Sequence, residues 1–112
     1  SYAMNAYTFT IGEIPTPNSA VSRFRTDGYF LLKKGETIST KFSTLMMLLV
    51  LCDESGVYQG DFINWTNTYT APENIYCYVN FKDDNVTNVI PCSLSSERNR
   101  NNYQAWKHPF CR

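Results

Sequence analysis

Four cysteines are the residues in this chain whose type and number most clearly indicate chemistry. Cys52, Cys77, Cys92 and Cys111 are separated by 24, 14 and 18 residues, and none of them forms the C-x-x-C pair typical of structural zinc sites. An even number of cysteines in a small chain favours two disulfides, with buried thiols as the alternative and metal binding as the least supported option. We therefore predict two disulfides, no metal and no cofactor, and the sequence leaves all three possible connectivities open.

Candidates for catalysis are few. The single histidine, His108, offers one base for a Ser or Cys nucleophile, and no G-x-S-x-G motif accompanies it. A glycosidase needs two carboxylates at a defined separation, and the acids nearest to aromatic residues, Asp61 and Glu73, lie in no recognisable motif. Residues 83–85 supply three oxygen ligands without the spacing of a calcium loop such as the EF-hand. The sequence therefore predicts a protein that is not an enzyme and has no catalytic residues.

Aromatic residues among Asn, Ser and Thr are typical of surfaces that bind other molecules, and this chain has eight Tyr and two Trp. Two stretches, residues 64–74 and 96–108, have this character. They supply the predicted partner-binding residues, which are Trp65, Tyr69, Glu73, Arg98, Arg100, Tyr103 and Gln104. Tyr76 and Tyr78 extend the surface if they point outward from their strand. The core is the alternative position for each Trp.

Charge and hydropathy exclude two classes of partner. Ten basic and ten acidic residues give a formal net charge of zero, which removes the long-range attraction of basic proteins to nucleic acid or anionic membranes. The longest apolar run, residues 45–52, is too short to span a bilayer. We therefore expect no nucleic-acid partner and no membrane insertion.

The cysteines also indicate a compartment, because disulfides form and persist outside the reducing cytosol. Residues 1–4 look like a cloning scar rather than the start of a signal peptide. We expect a bacterial chain whose signal peptide has been removed, with one domain over residues 5–112, located in the periplasm or secreted.

The elements that must position these residues are predicted to be strands. Alternating apolar residues and turn signals recur about every eight to twelve residues, and helical periodicity is nearly absent. The predicted strands are residues 7–11, 21–25, 29–32, 37–42, 44–52, 57–65, 75–81 and 86–92. Residues 67–74 and 93–102 are predicted loops. The expected fold is all-β: an antiparallel sandwich or barrel-like domain of about seven or eight strands with two disulfides.

Two of these strands carry the clearest patterns. The apolar run 44–52 is the predicted central buried strand. In strand 75–81 every second residue is apolar, so that Cys77 and its neighbours at two-residue spacing share one side. A turn at residues 82–85 then closes a hairpin onto 86–92, in which Cys77 and Cys92 point to the same side.

In length, all-β pattern, cysteine content and lack of a catalytic motif, the chain resembles small exported bacterial proteins that inhibit cell-wall hydrolases. These are the periplasmic lysozyme inhibitors and the immunity proteins that protect type VI secretion users from their own muramidase effectors. The resemblance implies a protein partner, a hydrolase or toxin whose substrate cleft is plugged by a polar or charged loop. Residues 96–104 are then the first candidate plug, because Arg98 or Arg100 could pair with a catalytic carboxylate. Residues 64–74 are the second.

Two other functions remain open from the sequence. A carbohydrate-binding module would use Trp65, Tyr69 and Trp106 as stacking platforms for sugar rings. A surface component, such as a pilus-associated subunit, would associate with itself through a strand edge, which makes a homodimer possible.

Overall fold

The computed structural model describes residues 2–20 and 22–83, and within them the chain forms strands and no helix. The ten strands are β1 (Tyr2–Met4), β2 (Tyr7–Thr8), β3 (Thr16–Pro17), β4 (Arg23–Thr26), β5 (Phe30–Leu32), β6 (Thr37–Ser39), β7 (Leu45–Cys52), β8 (Tyr58–Thr66), β9 (Thr68–Thr70) and β10 (Ile75–Asp83). All of their pairings are antiparallel. The predicted all-β antiparallel class is confirmed, but the described part alone has ten strands instead of seven or eight.

Six strands form one sheet with β10 in its middle. The order across the sheet is β1–β4–β10–β7–β8. β5 pairs with the same edge of β10 as β4 does. Within the described ranges the two ends of this order do not meet, so the sheet does not close into the predicted barrel. β2 pairs with β3, and β6 pairs with β9, as two separate two-stranded ribbons.

The predicted strands 21–25 and 29–32 correspond to β4 and β5, which do not form a hairpin with each other but are two segments of one line along β10. Thr26 joins the two segments, because its hydroxyl accepts a hydrogen bond from the Val79 N–H (3.1 Å) and donates one to the Gly28 carbonyl (2.9 Å). Gly28 has a φ of +108°, a conformation that favours glycine. The turn therefore interrupts the strand without reversing it.

β7 is a buried interior strand, as the run 44–52 predicts, but β10 and not β7 is the central strand of the sheet. It pairs with β10 along its whole length and with β8 on its other side. Met47, Leu49 and Val50 are fully buried. Because both faces of the sheet are covered here, β7 is a continuous apolar run and does not alternate.

The side chains of β10 divide between the two faces of the sheet as its sequence alternation predicts. Face A carries Cys77, Val79 and Phe81, and Face B carries Tyr76, Tyr78 and Asn80. On Face A they pack with buried residues of β4, β5 and β7. The β6–β9 ribbon packs on the same core through Ile38 and the partly buried Tyr69.

The β2–β3 ribbon packs on Face B. The Tyr7 ring meets the Tyr78 ring edge-on, with 4.8 Å between the centroids. The Asn80 side chain accepts a hydrogen bond from the Tyr7 N–H (2.7 Å) and donates one to the Tyr7 carbonyl (3.2 Å). A buried amide side chain thus takes the place of a strand partner and satisfies the backbone of β2.

Two segments differ from the prediction. Residues 68–70, predicted as loop, form β9, in which the threonine hydroxyls pair with β6 and Tyr69 points to the Face A core. The strand predicted over 7–11 ends at Thr8, because the chain turns at residues 10–13. Residues 2–4, which fall within the predicted cloning scar, form β1, and the Tyr2 ring packs edge-on near two Face A phenylalanines.

No disulfide is seen in the described part of the chain, so the predicted disulfides at Cys52 and Cys77 stay a prediction. Cys52 is the cross-strand partner of Tyr76 and lies on Face B, whereas Cys77 lies in the Face A core. Their side chains leave the sheet in opposite directions, which excludes a Cys52–Cys77 bond. Cys92, Cys111 and the predicted hairpin and loops beyond residue 83 lie outside the described residues.

Candidate binding surface

Trp65, one of the predicted binding residues, lies on Face B beside two cations. The Lys82 ammonium is 4.5 Å from the centre of the Trp65 ring, and the Arg23 guanidinium is 5.7 Å from it. Both lie within the distance, about 6 Å, at which the quadrupole of an aromatic ring attracts a cation. We call Arg23, Trp65 and Lys82 the cation–Trp65 cluster.

Three strands bring this cluster together. Arg23 of β4 and Lys82 of β10 are cross-strand partners, so their side chains share one face of the sheet. β8 contains a bulge, in which Asn64 and Trp65 lie opposite the single residue Leu48. Trp65 then packs against the Face B core that contains Leu48. The register of β10 with β4 and the bulge in β8 together determine the cluster.

A third cation extends this side of Face B. Arg25 lies two residues after Arg23 on β4 and therefore on the same face. Its guanidinium lies 5.5 Å from the centre of the Tyr7 ring and donates a hydrogen bond to the Met4 carbonyl. The Tyr7 hydroxyl donates in turn to the Thr26 carbonyl (2.6 Å). The arginine is thus held between β1 and β2.

Residues 10–13 form a turn that is fixed to β8. A hydrogen bond of 3.0 Å between its ends closes the turn, and Gly12 supplies the positive φ (+85°) that the third position of a type II turn requires. The Gly12 N–H donates to the Tyr58 carbonyl (2.8 Å), and the Tyr58 N–H donates to the Glu13 carbonyl (3.0 Å). Ile11, in the second position, is 69% exposed. We call residues 10–13 the Ile11 turn.

Apolar side chains connect the Ile11 turn with β8. The Ile11 side chain lies beside Gly60, where an added Cβ would be 3.3 Å from its Cδ1 atom. Phe9 packs against Phe62 with 5.7 Å between the ring centroids, and Phe62 is 47% exposed. Phe62 lies three positions before Trp65 on the same strand. Ile11, Phe62 and the cation–Trp65 cluster together form what we call the Face B surface.

The structure does not bring the other predicted residues of the 64–74 stretch to this surface. Tyr69 packs against the Face A core, where burial raises the pKa of its hydroxyl, with further contributions from Cys77 and Glu73. Glu73 is exposed in the loop between β9 and β10. The predicted binding residues Arg98, Arg100, Tyr103 and Gln104 lie outside the described residues.

Tyr78 and Cys52 are neighbours on Face B, and the pKa of each is raised, so that both stay protonated at neutral pH. Tyr78 is buried instead of pointing outward, and its hydroxyl donates to the Gly56 carbonyl (2.6 Å). Burial raises the pKa of Tyr78 to about 12. Burial, with a smaller contribution from the charge of Asp53, also raises the pKa of the Cys52 thiol to about 12. A thiol that stays protonated at neutral pH is a poor nucleophile, so Cys52 is not prepared for catalysis.

Sequence reasoning missed four residues of the Face B surface. Arg23 and Lys82 were not selected because their meeting depends on pairing between distant segments of the chain. The alternation of Arg23, Phe24 and Arg25 was a usable signal, since it places two cations on one face of a strand. Ile11 had a signal too, because it directly precedes a turn glycine. Phe62 had none.

Residues 2–20 and 22–83 contain no group of three or more His, Cys, Asp or Glu side chains that could hold a metal ion. Nor does the described part of the chain contain a helix long and apolar enough to cross a membrane. The fold and the surface define an antiparallel all-β protein, one face of which carries exposed apolar side chains and half-buried cations. A comparison of the chain with protein families, curated proteins and solved structures finds no match in any of the three.

Proposed function

We propose that this chain is an exported, non-enzymatic protein-binding module that inhibits, or confers immunity to, a cell-wall hydrolase or toxin. The observation that carries the proposal is the Ile11 turn, which presents an apolar side chain, 69% exposed, on backbone that is hydrogen-bonded to β8. Docking a side chain on such backbone costs little conformational entropy, which favours binding. Exposed apolar patches of this kind mark interaction sites on small proteins.

The chemistry of the neighbouring residues supports a hydrolase as the partner. Glycosidic cell-wall hydrolases hold a pair of carboxylates in an elongated cleft. The Ile11 turn projects beside β8, and Arg23 and Lys82 lie on the same face of the sheet. In the proposed complex the turn enters the cleft while the cations face its acidic side chains. The predicted plug residues Arg98 and Arg100 belong to the same proposal and add positive charge to it.

The cation–Trp65 cluster favours a protein partner over a carbohydrate. A sugar-binding tryptophan needs a ring face open for stacking. In this structure the Lys82 ammonium and the Arg23 guanidinium lie over the Trp65 ring. Of the other two predicted platforms, Tyr69 packs against the Face A core, and Trp106 lies outside the described residues.

Disulfides in the exported protein remain part of the proposal in a restricted form. Because Cys52 and Cys77 point away from each other, each would pair with Cys92 or Cys111 in an oxidised chain, which leaves two of the three connectivities. Peptide mapping under non-reducing conditions distinguishes these two arrangements.

The test is a titration of purified muramidases, amidases and endopeptidases acting on peptidoglycan. We expect one of these classes to lose its activity as the protein approaches a one-to-one ratio. N-acetylglucosamine oligomers are the control ligand, with tryptophan emission as the readout. If no enzyme is slowed at tenfold molar excess and the oligomers shift the emission, the proposal is wrong and the carbohydrate-binding module replaces it.

A further inference from the structure

We propose that Glu13 makes the Ile11 turn a docking site for a basic segment of the protein partner, in which a lysine or arginine adjoins apolar residues. This inference rests on the proposed function, because it concerns the turn that the proposed function assigns to the interface. It goes beyond that function by naming the chemistry of the partner at this turn and the residue, Glu13, that selects it.

The position of Glu13 is the first observation. It lies between Ile11 and Ile14, which are 69% and 60% exposed and have the largest exposed fractions of the large apolar residues in the described part of the chain. The Glu13 N–H donates to the Thr10 carbonyl (3.0 Å), and its carbonyl accepts from the Tyr58 N–H (3.0 Å). Both backbone groups of Glu13 are thus held, so its carboxylate is presented from fixed backbone.

The surroundings of the Glu13 carboxylate are the second observation. Glu13 is exposed, and its carboxylate makes no hydrogen bond or ion pair with any residue in the ranges 2–20 and 22–83. In the free protein, water solvates this charge. A partner that covers Ile11 and Ile14 also covers the residue between them, and a carboxylate that is buried without a counter-charge is strongly unfavourable. The partner must therefore bring a cation to Glu13 together with apolar groups for the two isoleucines.

The charges on the rest of Face B are consistent with this assignment. Arg23 and Arg25 lie near the end of the sheet where β7 begins. The Ile11 turn lies near the other end, since it is bonded to Tyr58, the cross-strand partner of the last residue of β7. The arginines and the turn are separated by roughly 13–20 Å along the strands. A partner can therefore dock in one orientation, with its acidic side chains at the arginines and its basic segment at the turn.

Two other occupants fit less well. A two-fold interface brings the same patch of two copies together, so it would bury two Glu13 carboxylates without a counter-charge. A nucleic acid carries phosphates, which Glu13 repels, and the formal net charge of zero provides no long-range attraction for it. A basic peptide segment complements both the carboxylate and the apolar side chains.

The test is binding of a blocked hexapeptide of alternating leucine and arginine to the full chain, followed by NMR of ¹³C-labelled isoleucine methyl groups. Ile11→Val and Ile14→Val assign the two methyl signals. We expect the peptide to shift both signals saturably, and a hexapeptide of alternating leucine and glutamate to leave them unchanged. Glu13→Gln should weaken binding at least about fivefold, because it removes the charge but keeps the size of the side chain. Glu73→Gln removes the same charge from an exposed position between β9 and β10 and should bind as the unmodified chain does.

Dispersed spectra show that each variant is folded. The inference is overturned if the arginine peptide shifts neither signal, if Glu13→Gln and Glu73→Gln bind it equally, or if the glutamate peptide binds as tightly. It is also overturned if the signals shift with protein concentration alone, which would assign the turn to a second copy. Peptide binding at both isoleucines without any inhibited hydrolase would support this inference and remove the proposed function alone. Inhibition of a hydrolase that Glu13→Gln leaves unchanged would remove this inference alone.

Discussion

Face A and Face B belong to one sheet but differ in what their side chains do. Face A is built from aliphatic residues and from the stacked rings of Phe24 and Phe81, whose centroids are 4.7 Å apart. Face B is built around tyrosines and Asn80, whose polar atoms bind backbone groups of the segments that pack on it. Cations and exposed apolar residues surround that second core.

Because its two faces differ, one sheet both stabilises the fold and carries a surface. Because side chains alternate along a strand, the residues of β10 serve the two purposes in turn. Burial in the larger Face A core contributes much of the free energy of folding, and hydrogen bonds on Face B fix the position of β2 and of the turn that contains Gly56. Substitutions on Face A should therefore affect stability, and substitutions at the edge of Face B should affect binding.

The largest effect is expected from Phe81→Ala on Face A. Phe81 is fully buried and stacks on Phe24, so its removal should lower the free energy of unfolding by about 3–5 kcal/mol. Urea denaturation measures the change. Phe62→Ala, at the edge of Face B, is the matched control and should cost less than about 1 kcal/mol. Equal losses in the two variants would contradict the division between the faces.

Gly56→Ala should be the next most costly change. Gly56 has a φ of +84°, and an added Cβ would lie 2.6 Å from Cε1 of Tyr29 and 2.7 Å from the Tyr78 hydroxyl oxygen. We expect a loss of about 2–3 kcal/mol from backbone strain and the displaced rings. Gly35→Ala has a similar φ (+85°) and nothing within 4 Å, so it should cost only about 1 kcal/mol. Thermal denaturation of the two variants separates the steric contribution from the backbone strain.

Asn80→Ala tests the attachment of β2 to Face B. The variant leaves the N–H and carbonyl of Tyr7 without their side-chain partner, which should cost about 2 kcal/mol. Hydrogen exchange should show a faster rate at the Tyr7 amide. Asn74→Ala removes an exposed side chain that accepts one hydrogen bond from the Lys34 N–H, and is expected to cost less than about 1 kcal/mol. Unchanged exchange at Tyr7 would mean that other contacts hold the ribbon.

A further expected effect is a loss of stability at high pH. The pKa values of Cys52 and Tyr78 are about 12 in the folded chain and 9.0 and 10.0 ordinarily. The unfolded chain therefore loses these protons first, so the free energy of unfolding should fall as the pH rises from 9 to 12. In Cys52→Ala the fall should begin near pH 10 instead of pH 9. Urea denaturation between pH 8 and 11 checks this, and an unchanged onset would show that Cys52 is not responsible.

The sequence predicts much of Face A and the centre of the sheet. β7 and β10 are long, and their apolar patterns repeat often enough to indicate both the strands and the faces. The turns before β6 and β8 follow from glycines with positive φ, at Gly35 and Gly56. β3 and β9 have only two or three residues, which is too short for a pattern, and tertiary contacts determine them.

The Face B surface was predictable only in part. Trp65 could be selected by its type, but its place depends on a bulge that sequence alternation does not indicate. The sequence around Tyr69 resembles that around Trp65 in composition. Tyr69 nevertheless packs against Face A, because β9 pairs with β6. The cations come from strands that are far apart in the chain, and only the register of β4 with β10 brings them to one ring.

The most direct test of the central claim, that Face B carries the partner-binding surface, is one inhibition titration with a matched pair of variants. Ile11→Asp changes the exposed tip of the Ile11 turn, and Phe42→Asp changes an exposed aromatic residue in the loop before β7. Both variants should unfold at nearly the same urea concentration as the unmodified chain. We expect Ile11→Asp to weaken inhibition of the responsive hydrolase at least tenfold while Phe42→Asp leaves it unchanged. Full inhibition by Ile11→Asp would contradict the claim.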